Sequence, residues 1–348
     1  MSKFEAPLTK FTLSVHSNAD SLSIAHVGEW QCIVRTEDFK DEELGVYLPL
    51  DTIADQDHPL LSFLGGKRVK TCKLRGELSQ GVLLAYSKVK DYMKNTLGMQ
   101  EASIEKMTIE GKDFLGLLRV RRWFDESEFH SGNPDMETPH PEFQKYTDIE
   151  NIKNYSDTIQ FGENVQITCK LHGTNFRASL IDGTYMLGSM NCRWKIEPEK
   201  PSYWHYVSDK NNLKEKLATI SEMYKSDKVI LYGEIVGPKI QDLHYGCTEP
   251  TLFVFDVMVD GRYLPPVESF HLCDELSLRT VPVLKVGEFR KEDLDLRLGK
   301  STLADHVREG IVIKPLTPRT DSKIGRVILK VISEEYLMRK TPKDKRDI

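Results

Sequence analysis

The sequence predicts an α+β protein in which a small β-barrel domain precedes a domain of antiparallel sheets with flanking helices. The chain of 348 residues exceeds what one hydrophobic core usually holds. Residues 21–123 consist mostly of short strand-like segments, whereas strands alternate with longer helical segments after residue 146. These observations together predict two domains of different architecture.

The first domain contains five short segments rich in Val, Ile, Leu and Tyr, separated by Gly, Asp and charged turns, as is typical of strands. They are SLSIAHV, WQCIVR, LGVYLPL, KRVKTCKL and GVLLAY. The segment YSKVKDYMKNTL predicts an inserted helix, because four apolar residues follow helical spacing: Val89, Tyr92, Met93 and Leu97. A five-stranded barrel with an inserted helix is an OB-fold, which we assign to residues 1–125.

Residues 126–145 are acidic and proline-rich and show neither helical nor strand periodicity, which predicts a linker. Residues 146–348 then form the second domain. Its predicted helices are NLKEKLATISEMYKS and PVESFHLCDELSL, and its predicted strands include NVQITCKL, FRASLID, KVILYGEIVG, TLFVFDVMVDGRYL, EGIVIKPL and RVILKVIS. Many connections between these strands are as short as hairpins, which favours antiparallel pairing.

Composition excludes few classes of protein. The net charge of -5 argues against a generally basic surface that coats nucleic acid, although a basic groove can exist on one face. The six cysteines show neither a CxxC pair nor zinc-ligand spacing, so we expect reduced thiols. The N-terminus lacks the apolar run of a signal peptide, and no stretch approaches the roughly 20 apolar residues of a membrane span. We expect a soluble, cytoplasmic protein without a membrane partner.

The pattern Cys-Lys-Leu-X-Gly occurs twice, and each copy contains a lysine that could act as a nucleophile. Lys170 ends an apolar strand and is followed by Gly173, Thr174 and Asn175, whereas no such continuation follows Lys73. We therefore predict that Lys73 is a barrel-strand lysine. At its ordinary pKa only about one lysine in a thousand is neutral at pH 7, so a nucleophilic Lys170 needs nearby cations, a metal or desolvation to depress that pKa.

Further polar residues at strand ends follow Lys170 along the chain. They are Glu234 in LYGEIVG, Phe255 in FVFDV, Glu309 and Lys314 in EGIVIK, and Lys330 in VILKVIS. Together they offer carboxylates for a divalent metal and for ribose hydroxyls, an aromatic face for a base, and cations for phosphates. The set is what nucleotidyl transfer to a lysine requires.

In this order, the motifs KLHGTN, YGEIVG, FVFD, EGIVIK and ILK resemble those of the covalent nucleotidyltransferase superfamily. This superfamily comprises ATP-dependent RNA and DNA ligases and mRNA capping enzymes. The Gly-Thr-Asn continuation is typical of RNA ligases. The segments GVYLPLDTI and LRGELSQGVLL resemble the N-terminal OB domain of the RNA ligase branch typified by the Deinococcus enzyme, in which the OB domain precedes the transferase.

The resemblance implies a role for each matching residue. Lys170 is the site of adenylylation, Glu234 holds ribose, Phe255 stacks on adenine, Glu309 binds metal, Lys314 and Lys330 contact the α-phosphate, and Gly173, Thr174 and Asn175 bind the nucleotide.

The sequence departs from the family pattern at three positions. Met190 stands where an arginine is expected, which makes Arg193 the candidate nucleotide-binding replacement. Ile328 occupies the place of a second lysine, and His172 that of an acidic residue. Outside the motifs, the segment RVRRW at residues 119–123 suits either nucleic acid or a solvated strand face.

The resemblance implies an ATP-dependent RNA ligase that uses Mg²⁺ or Mn²⁺ and seals 3'-OH/5'-phosphate breaks. The reaction would pass through a lysyl-AMP and an adenylylated 5' end, and the substrates would be nicked duplex RNA or an RNA/DNA hybrid. We expect a monomer. Three alternatives stay open: a DNA ligase with the same mechanism, a non-catalytic OB-fold nucleic-acid-binding protein, and a capping enzyme that uses GTP.

Overall fold

The computed structural model describes residues 4–40, 42–123 and 134–339. The chain divides into two compact units, residues 2–124 and residues 125–348. We call them the N-terminal unit and the C-terminal unit.

The N-terminal unit consists of short antiparallel strands with three short helices. The strands of its described part are β1 (Leu8–Lys10), β2 (Thr12–Val15), β3 (Leu22–Val27), β4 (Trp30–Arg35), β5 (Leu44–Leu48), β6 (Thr52–Ala54), β7 (Cys72–Leu74), β8 (Glu77–Ser79), β9 (Val82–Ala85) and β10 (Val120–Arg122). The helices are α1 (Thr36–Phe39), α2 (Tyr86–Asp91) and α3 (Glu101–Glu105). The strands pair in the orders β1-β5-β9, β2-β3-β4, β10-β6 and β7-β8. Each of the five predicted strand segments contains one of these strands.

The predicted inserted helix is present, and a π-helical turn changes its buried face. Helix α2 continues as a π-helix over Tyr92–Thr96. Val89 and Met93 are buried in the core of the unit, with Leu8, Leu48 and Phe114 among their neighbours there. Leu97, the last residue of the apolar helical pattern, is 45% exposed. The hydrogen bonds of a π-helix join residues i and i+5, and this wider turn rotates Leu97 away from the face that ordinary helical spacing assigns to it.

The C-terminal unit contains two larger sheets. Its strands are β11 (Met136–Glu137), β12 (Glu150–Asn151), β13 (Asn164–Lys170), β14 (Thr174–Ile181), β15 (Thr184–Gly188), β16 (Arg193–Trp194), β17 (Lys228–Val236), β18 (Thr251–Val259), β19 (Arg262–Tyr263), β20 (Val283–Glu288), β21 (Gly310–Pro315), β22 (Thr320–Asp321), β23 (Gly325–Arg326) and β24 (Leu329–Ile332). Its helices are α4 (Tyr203–Lys210), α5 (Leu213–Tyr224), α6 (Pro266–Glu275) and α7 (Glu334–Met338).

The seven-stranded sheet has the order β11-β16-β15-β14-β17-β18-β19. Leu217 and Ile220 of α5 and Leu272 of α6 pack on one of its faces, against Leu231 and Val257. The second sheet has the order β12-β24-β21-β13-β20 and is antiparallel except for the parallel pair β12 and β24. The predicted α+β class, with antiparallel sheets and flanking helices in the second domain, is confirmed.

The predicted linker is wrong for the residues that the structure describes. Strand β11 pairs with β16 and so extends the seven-stranded sheet. Phe143 is buried, and its carbonyl oxygen accepts a hydrogen bond from Arg177 Nη1 at 2.5 Å. Residues 134–145 are therefore part of the C-terminal unit, because the pairing of β11 with β16 and the buried ring of Phe143 hold them there. Neither contact produces a periodic pattern in the sequence. Residues 126–133 of the predicted linker lie outside the described residues.

Replacing Phe143 by alanine should lower the free energy of unfolding by about 3–5 kcal/mol, because it leaves a cavity beneath the seven-stranded sheet. Phe143 is only 3% exposed, whereas Phe161, the control, is 63% exposed. Urea unfolding of the two alanine variants and the wild type measures the difference. Equal and small losses in both variants would show that the segment is a linker after all.

Candidate active site

A cavity of about 210 Å³ lies between the two sheets of the C-terminal unit. It is lined by residues from β13, β14, β17, β18, β21 and β24. Six of the predicted site residues are among those that line it: Lys170, Asn175, Glu234, Phe255, Lys314 and Lys330. The structure thus brings together in one place residues that are up to 160 positions apart in the sequence.

Strand alternation explains why three lysines face this cavity. In the five-stranded sheet, Ile311 and Ile313 of β21 belong to the core on one face, so Val312 and Lys314 point to the other. Val312 pairs with Lys330 of β24 and with Thr168 of β13. Lys170, two residues after Thr168, points to the same face. The hydrophobic residues of these strands therefore fix the direction of the lysines.

Lys170 is held by a carboxylate. Its Nζ lies 2.5 Å from Oε1 of Glu309, whose side chain is nearly buried. Burial lowers the pKa of Lys170, but the attraction of Glu309 and Glu234 and the hydrogen bond to Glu309 outweigh it, so the pKa lies above its ordinary value. With these neighbours alone, Lys170 is protonated at neutral pH, whereas the sequence analysis required a depressed pKa. A positive charge bound beside Glu309 and Glu234 would oppose their attraction and lower the pKa of Lys170.

Glu309 has one oxygen to spare for a cation. Its Oε2 is buried and has no hydrogen-bond partner among the described residues. No group of three or more His, Cys, Asp and Glu residues that could hold a metal occurs within 4–40, 42–123 and 134–339. Mg²⁺ commonly binds through one or two carboxylates plus substrate phosphates and water, so a single carboxylate with a buried free oxygen fits such an ion.

The glycine of the lysine motif positions Glu234. The backbone N–H of Gly173 donates to Oε1 of Glu234 at 3.1 Å. A Cβ atom at Gly173 would lie 2.2 Å from the carbonyl oxygen of Ile235, which no side chain can tolerate. Asn175 pairs with Glu234 across β14 and β17, and its Oδ1 is buried without a hydrogen-bond partner in the described structure. Thr174 pairs with Ile235 and is not among the residues that line the cavity.

A β-bulge turns Phe255 toward the cavity. Tyr232 pairs with Asp256 and Gly233 with Val254, so Phe255 is the extra residue of β18. Bulges are a common means of redirecting one side chain. Phe255 lines the cavity, with its ring centroid 4.7 Å from that of Tyr146. Phe253 of the same strand is buried in a core cluster against which Phe255 also packs, but Phe253 is not among the residues that line the cavity, so it does not compete for this position.

Lys314 belongs to a buried ionic network that the sequence analysis missed. Its Nζ lies 2.7 Å from Oδ2 of Asp256, and the same oxygen accepts hydrogen bonds from Arg326 at 3.0 Å and from the hydroxyl of Tyr146. Burial lowers the pKa of Lys314 to about 8, against the attraction of Asp256. The cations hold the pKa of Asp256 below its usual value although burial opposes this. The aspartate in FVFD was visible in the sequence, but nothing there linked it to Arg326.

Arg193 is not brought to the cavity. Its guanidinium forms an ion pair with Glu137 at 2.7 Å, on the neighbouring strand β11. Met190 lines the cavity instead. The counter-charge of Arg193 comes from β11, which the sequence analysis placed in a linker, and its replacement of the missing arginine in binding nucleotide stays a prediction.

Polar residues far along the chain hold the turn that follows Lys170. The N–H of His172 donates to the Tyr245 hydroxyl at 2.7 Å, and its Nδ1 lies 2.9 Å from the Tyr336 hydroxyl. Asp242 lies 3.0 Å from its Nε2 and forms a bidentate ion pair with Arg339. Burial lowers the pKa of His172, so a neutral imidazole occupies the place where an acidic residue is common in the family.

Comparisons with known proteins agree with this geometry. Residues 163–332 match the model of the RNA ligase family, and residues 10–86 match that of an OB-fold domain. The predicted relationship to RNA ligases, the OB-fold of the N-terminal unit and the enzyme class of polynucleotide ligase are thereby confirmed. No curated protein matches the chain.

Solved structures of Naegleria gruberi RNA ligase share the fold. A mutant with ATP and Mn has a TM-score of 0.75 and 22% identity, over 96% of this chain and 98% of that one. A second mutant, with AMP and Mn, has the same values, and the form with PPi has a TM-score of 0.74 and 24% identity over 97% and 98%. At this identity the likeness establishes the fold. Across the described residues, no helix has the length and apolar character that crossing a membrane requires.

Replacing Asp256 by alanine should lower the free energy of unfolding of the C-terminal unit by about 3–5 kcal/mol at pH 7. The variant leaves the cations of Lys314 and Arg326 buried without their counter-charge. The loss should shrink at pH 9, because Lys314 can release its proton in the folded protein but keeps it in the unfolded chain, so stability rises with pH.

Urea unfolding at pH 7 and pH 9 measures both effects, with the exposed carboxylate Asp209 replaced by alanine as the control. A loss no larger than that of the control, or one that does not change with pH, would contradict this account of the network.

Proposed function

We propose that the protein is an ATP-dependent RNA ligase that seals 3'-OH/5'-phosphate breaks through a covalent lysyl-AMP. The observation that carries the proposal is the contact of 2.5 Å between Lys170 Nζ and Glu309, beside a cavity that Lys314 and Lys330 also line. Glu309 orients the amine of Lys170, and the two further lysines can bind the phosphates of a nucleotide. This arrangement suits a reaction in which the amine attacks a polyanion. The similar structures of Naegleria gruberi RNA ligase with ATP and with AMP support an adenine nucleotide as the donor.

The proposed reaction has three in-line displacements at phosphorus. The amine of Lys170 forms a bond to the α-phosphorus of ATP, and the bond to pyrophosphate breaks. The 5'-phosphate of the nucleic acid then displaces Lys170 and takes the AMP. Finally the 3'-hydroxyl attacks that 5'-phosphorus and expels AMP, and the strand is sealed. Such transfers depend mainly on positioning and on neutralising charge on the phosphate oxygens.

The residues that line the cavity suit these tasks. Lys330 and the ammonium of Lys314 would contact the α-phosphate. Lys314 stays charged for this task because Asp256 opposes the loss of its proton. Phe255 and Tyr146 would enclose the base, since the bulge turns Phe255 into the cavity. Glu234, held by the N–H of Gly173, would accept hydrogen bonds from the ribose hydroxyls.

Mg²⁺ or Mn²⁺ is the proposed cofactor, and Glu309 would hold it through Oε2, the buried oxygen without a partner in the described structure. When bound, the ion supplies positive charge that offsets the carboxylates around Lys170 and withdraws electrons from the phosphate. Without such an offset, Glu309 and Glu234 keep Lys170 protonated.

The finer assignments belong to the same proposal. The substrates are nicks in duplexes that contain RNA, the enzyme works as a monomer, and its location is cytoplasmic. The RNA ligase family match favours RNA over DNA as the natural substrate. A protein that binds nucleic acid without catalysis fits less well, because Lys170, Glu234 and Lys330 all line the same cavity.

A label-transfer assay tests the first step. Wild-type protein, stripped of bound AMP with pyrophosphate and then incubated with ATP labelled at the α-phosphate and Mg²⁺ or Mn²⁺, should acquire an acid-labile label on the polypeptide. Lys170→Ala should acquire none, because the amine that forms the covalent bond is gone. The matched control is Lys214→Ala, an exposed lysine of α5. Absence of label on the wild type, with labelled GTP as well as with labelled ATP, would end the ligase proposal.

A panel of nicked duplexes tests the substrate. We expect nicks with a 3'-OH strand of RNA to be sealed at least about tenfold faster than the same nicks with DNA, a difference of about 1.4 kcal/mol in activation free energy. The 2'-hydroxyl is the group that can provide this discrimination. Equal rates, or faster sealing of DNA, would replace the proposal with a DNA ligase.

A further inference from the structure

We propose that residues 333–339 hold the turn after Lys170 in place and thereby set the rate at which Lys170 accepts AMP from ATP. We call these residues, which include α7, the α7 segment. The inference rests on the proposed function, because it takes Lys170 as the nucleophile. All residues of the α7 segment lie in the described part of the chain, and none of them is among those that line the cavity. Tyr336 and Arg339 therefore act as positioning residues, through contacts with other side chains.

The α7 segment contacts the surroundings of the nucleophile at three points. The backbone N–H of Ser333, a fully buried residue, donates to the carbonyl oxygen of Glu309 at 2.8 Å. The hydroxyl of Tyr336 lies 2.9 Å from Nδ1 of His172. Arg339 forms an ion pair with a carboxylate beside the same imidazole. Residues three apart lie on the same side of a helix, so one short helix can make all three contacts.

Both ring nitrogens of His172 have a neighbour. Tyr336 lies beside Nδ1, and Oδ1 of Asp242 lies 3.0 Å from Nε2. Nη2 of Arg339 donates to both carboxylate oxygens of Asp242, at 3.0 and 3.1 Å. The guanidinium of Arg339 also lies 3.7 Å from the ring centroid of Tyr336. The four side chains thus form a closed ring of contacts, which fixes the orientation of the imidazole.

The charges in this ring of contacts suit a histidine at position 172. Burial raises the pKa of Asp242, but the hydrogen bonds and the charge of Arg339 outweigh it, so the pKa lies below its ordinary value and the carboxyl is ionised at neutral pH. An acidic residue at position 172 would place a second negative charge beside Asp242, whereas a neutral imidazole does not. The departure of His172 from the family pattern therefore has a counterpart in the ion pair of Asp242 and Arg339.

Apolar packing supports the same turn. Leu171, the residue between Lys170 and His172, is buried in a core cluster that also contains Tyr336, and Leu337 packs against this cluster. The ring of Tyr336 therefore belongs to the core next to the turn, while its hydroxyl contacts His172. Removing the hydroxyl alone leaves the ring in the core, which allows the polar contact to be tested by itself.

Positioning of this kind affects the rate of a reaction more than the affinity for its substrate. The α7 segment supports both partners of the 2.5 Å contact between Lys170 and Glu309. It supports Lys170 through His172 in the turn, and it supports Glu309 through the N–H of Ser333. A displacement of about 1 Å can cost about a hundredfold in rate. The side chains that would contact ATP lie outside the α7 segment, so the affinity for ATP should depend little on it.

The variant Tyr336→Phe tests the polar contact. In protein stripped of AMP, its maximal rate of label transfer from ATP labelled at the α-phosphate should be at least about tenfold below that of the wild type in single-turnover measurements. The ATP concentration that gives half of the maximal rate should change by less than about twofold. The matched control is Tyr185→Phe, because the hydroxyl of Tyr185 in β15 lies 2.6 Å from that of Ser208 in α4. The control should keep the wild-type rate.

The variant Arg339→Gln tests the ion pair with Asp242. We expect a similar loss of maximal rate with an unchanged half-saturating ATP concentration, because the carboxylate beside the imidazole is no longer held. The matched control is Arg319→Gln, since Arg319 forms a bidentate ion pair with Glu163, with both distances 2.8 Å. Thermal unfolding reports whether each variant folds. The amplitude of label transfer gives the active fraction, so a loss of folded protein is separated from slower transfer.

A nicked duplex that already carries AMP at its 5' end tests whether the effect is confined to Lys170. Sealing of this substrate forms no bond to Lys170, so Tyr336→Phe and Arg339→Gln should seal it within about twofold of the wild-type rate. Sealing that falls as far as label transfer would indicate a general structural role and overturn the inference. Label transfer in both variants at the rates of their controls would overturn it too. Wild type that takes no label from ATP would instead overturn the proposed function itself.

Discussion

The candidate site depends on one constraint: strands β13, β21 and β24 carry apolar side chains on one face and lysines on the other. The apolar face is buried, so the register of these strands cannot shift by one residue without burying the lysines in the outer core. This fixes Lys170, Lys314 and Lys330 on the side of the seven-stranded sheet. Three ammonium groups between two sheets would repel one another and lose hydration, so the facing elements must supply carboxylates.

Three carboxylates balance the charge of these lysines, each in a different way. Asp256 is fully buried and shared by two cations and a tyrosine hydroxyl, which makes it a permanent counter-ion of the site. Glu309 contacts Lys170 with one oxygen and has the other to spare, so its contact can be exchanged. Glu234 is oriented by the backbone of Gly173. Glu309 and Glu234 keep Lys170 protonated in the absence of a ligand. A positive charge that offsets these two carboxylates would favour the neutral amine.

The two copies of Cys-Lys-Leu-X-Gly show how far a short motif depends on its surroundings. Lys170 lies at the end of a central strand, with the turn after it held by Tyr245, Glu234 and Tyr336. Lys73 lies on an exposed two-stranded hairpin among other cations. The same five-residue pattern thus provides a half-buried lysine that lines a cavity in one unit and a solvent-facing lysine in the other.

The sequence by itself determined the α+β class, the order of the motifs and most of the central strands, because apolar periodicity and strand-end polar residues are local properties. It also indicated Lys170, Glu234, Phe255, Glu309, Lys314 and Lys330 as one set. Only the tertiary structure decided the rest. The pairing of β11 with β16 made a predicted linker the edge of a sheet and placed Glu137 beside Arg193. The bulge in β18 directed Phe255, and not Phe253, into the cavity. The fold also brought Asp256 into an ion pair with Arg326. These outcomes depend on contacts between residues distant in the chain, and such contacts leave no periodic signal in a single sequence.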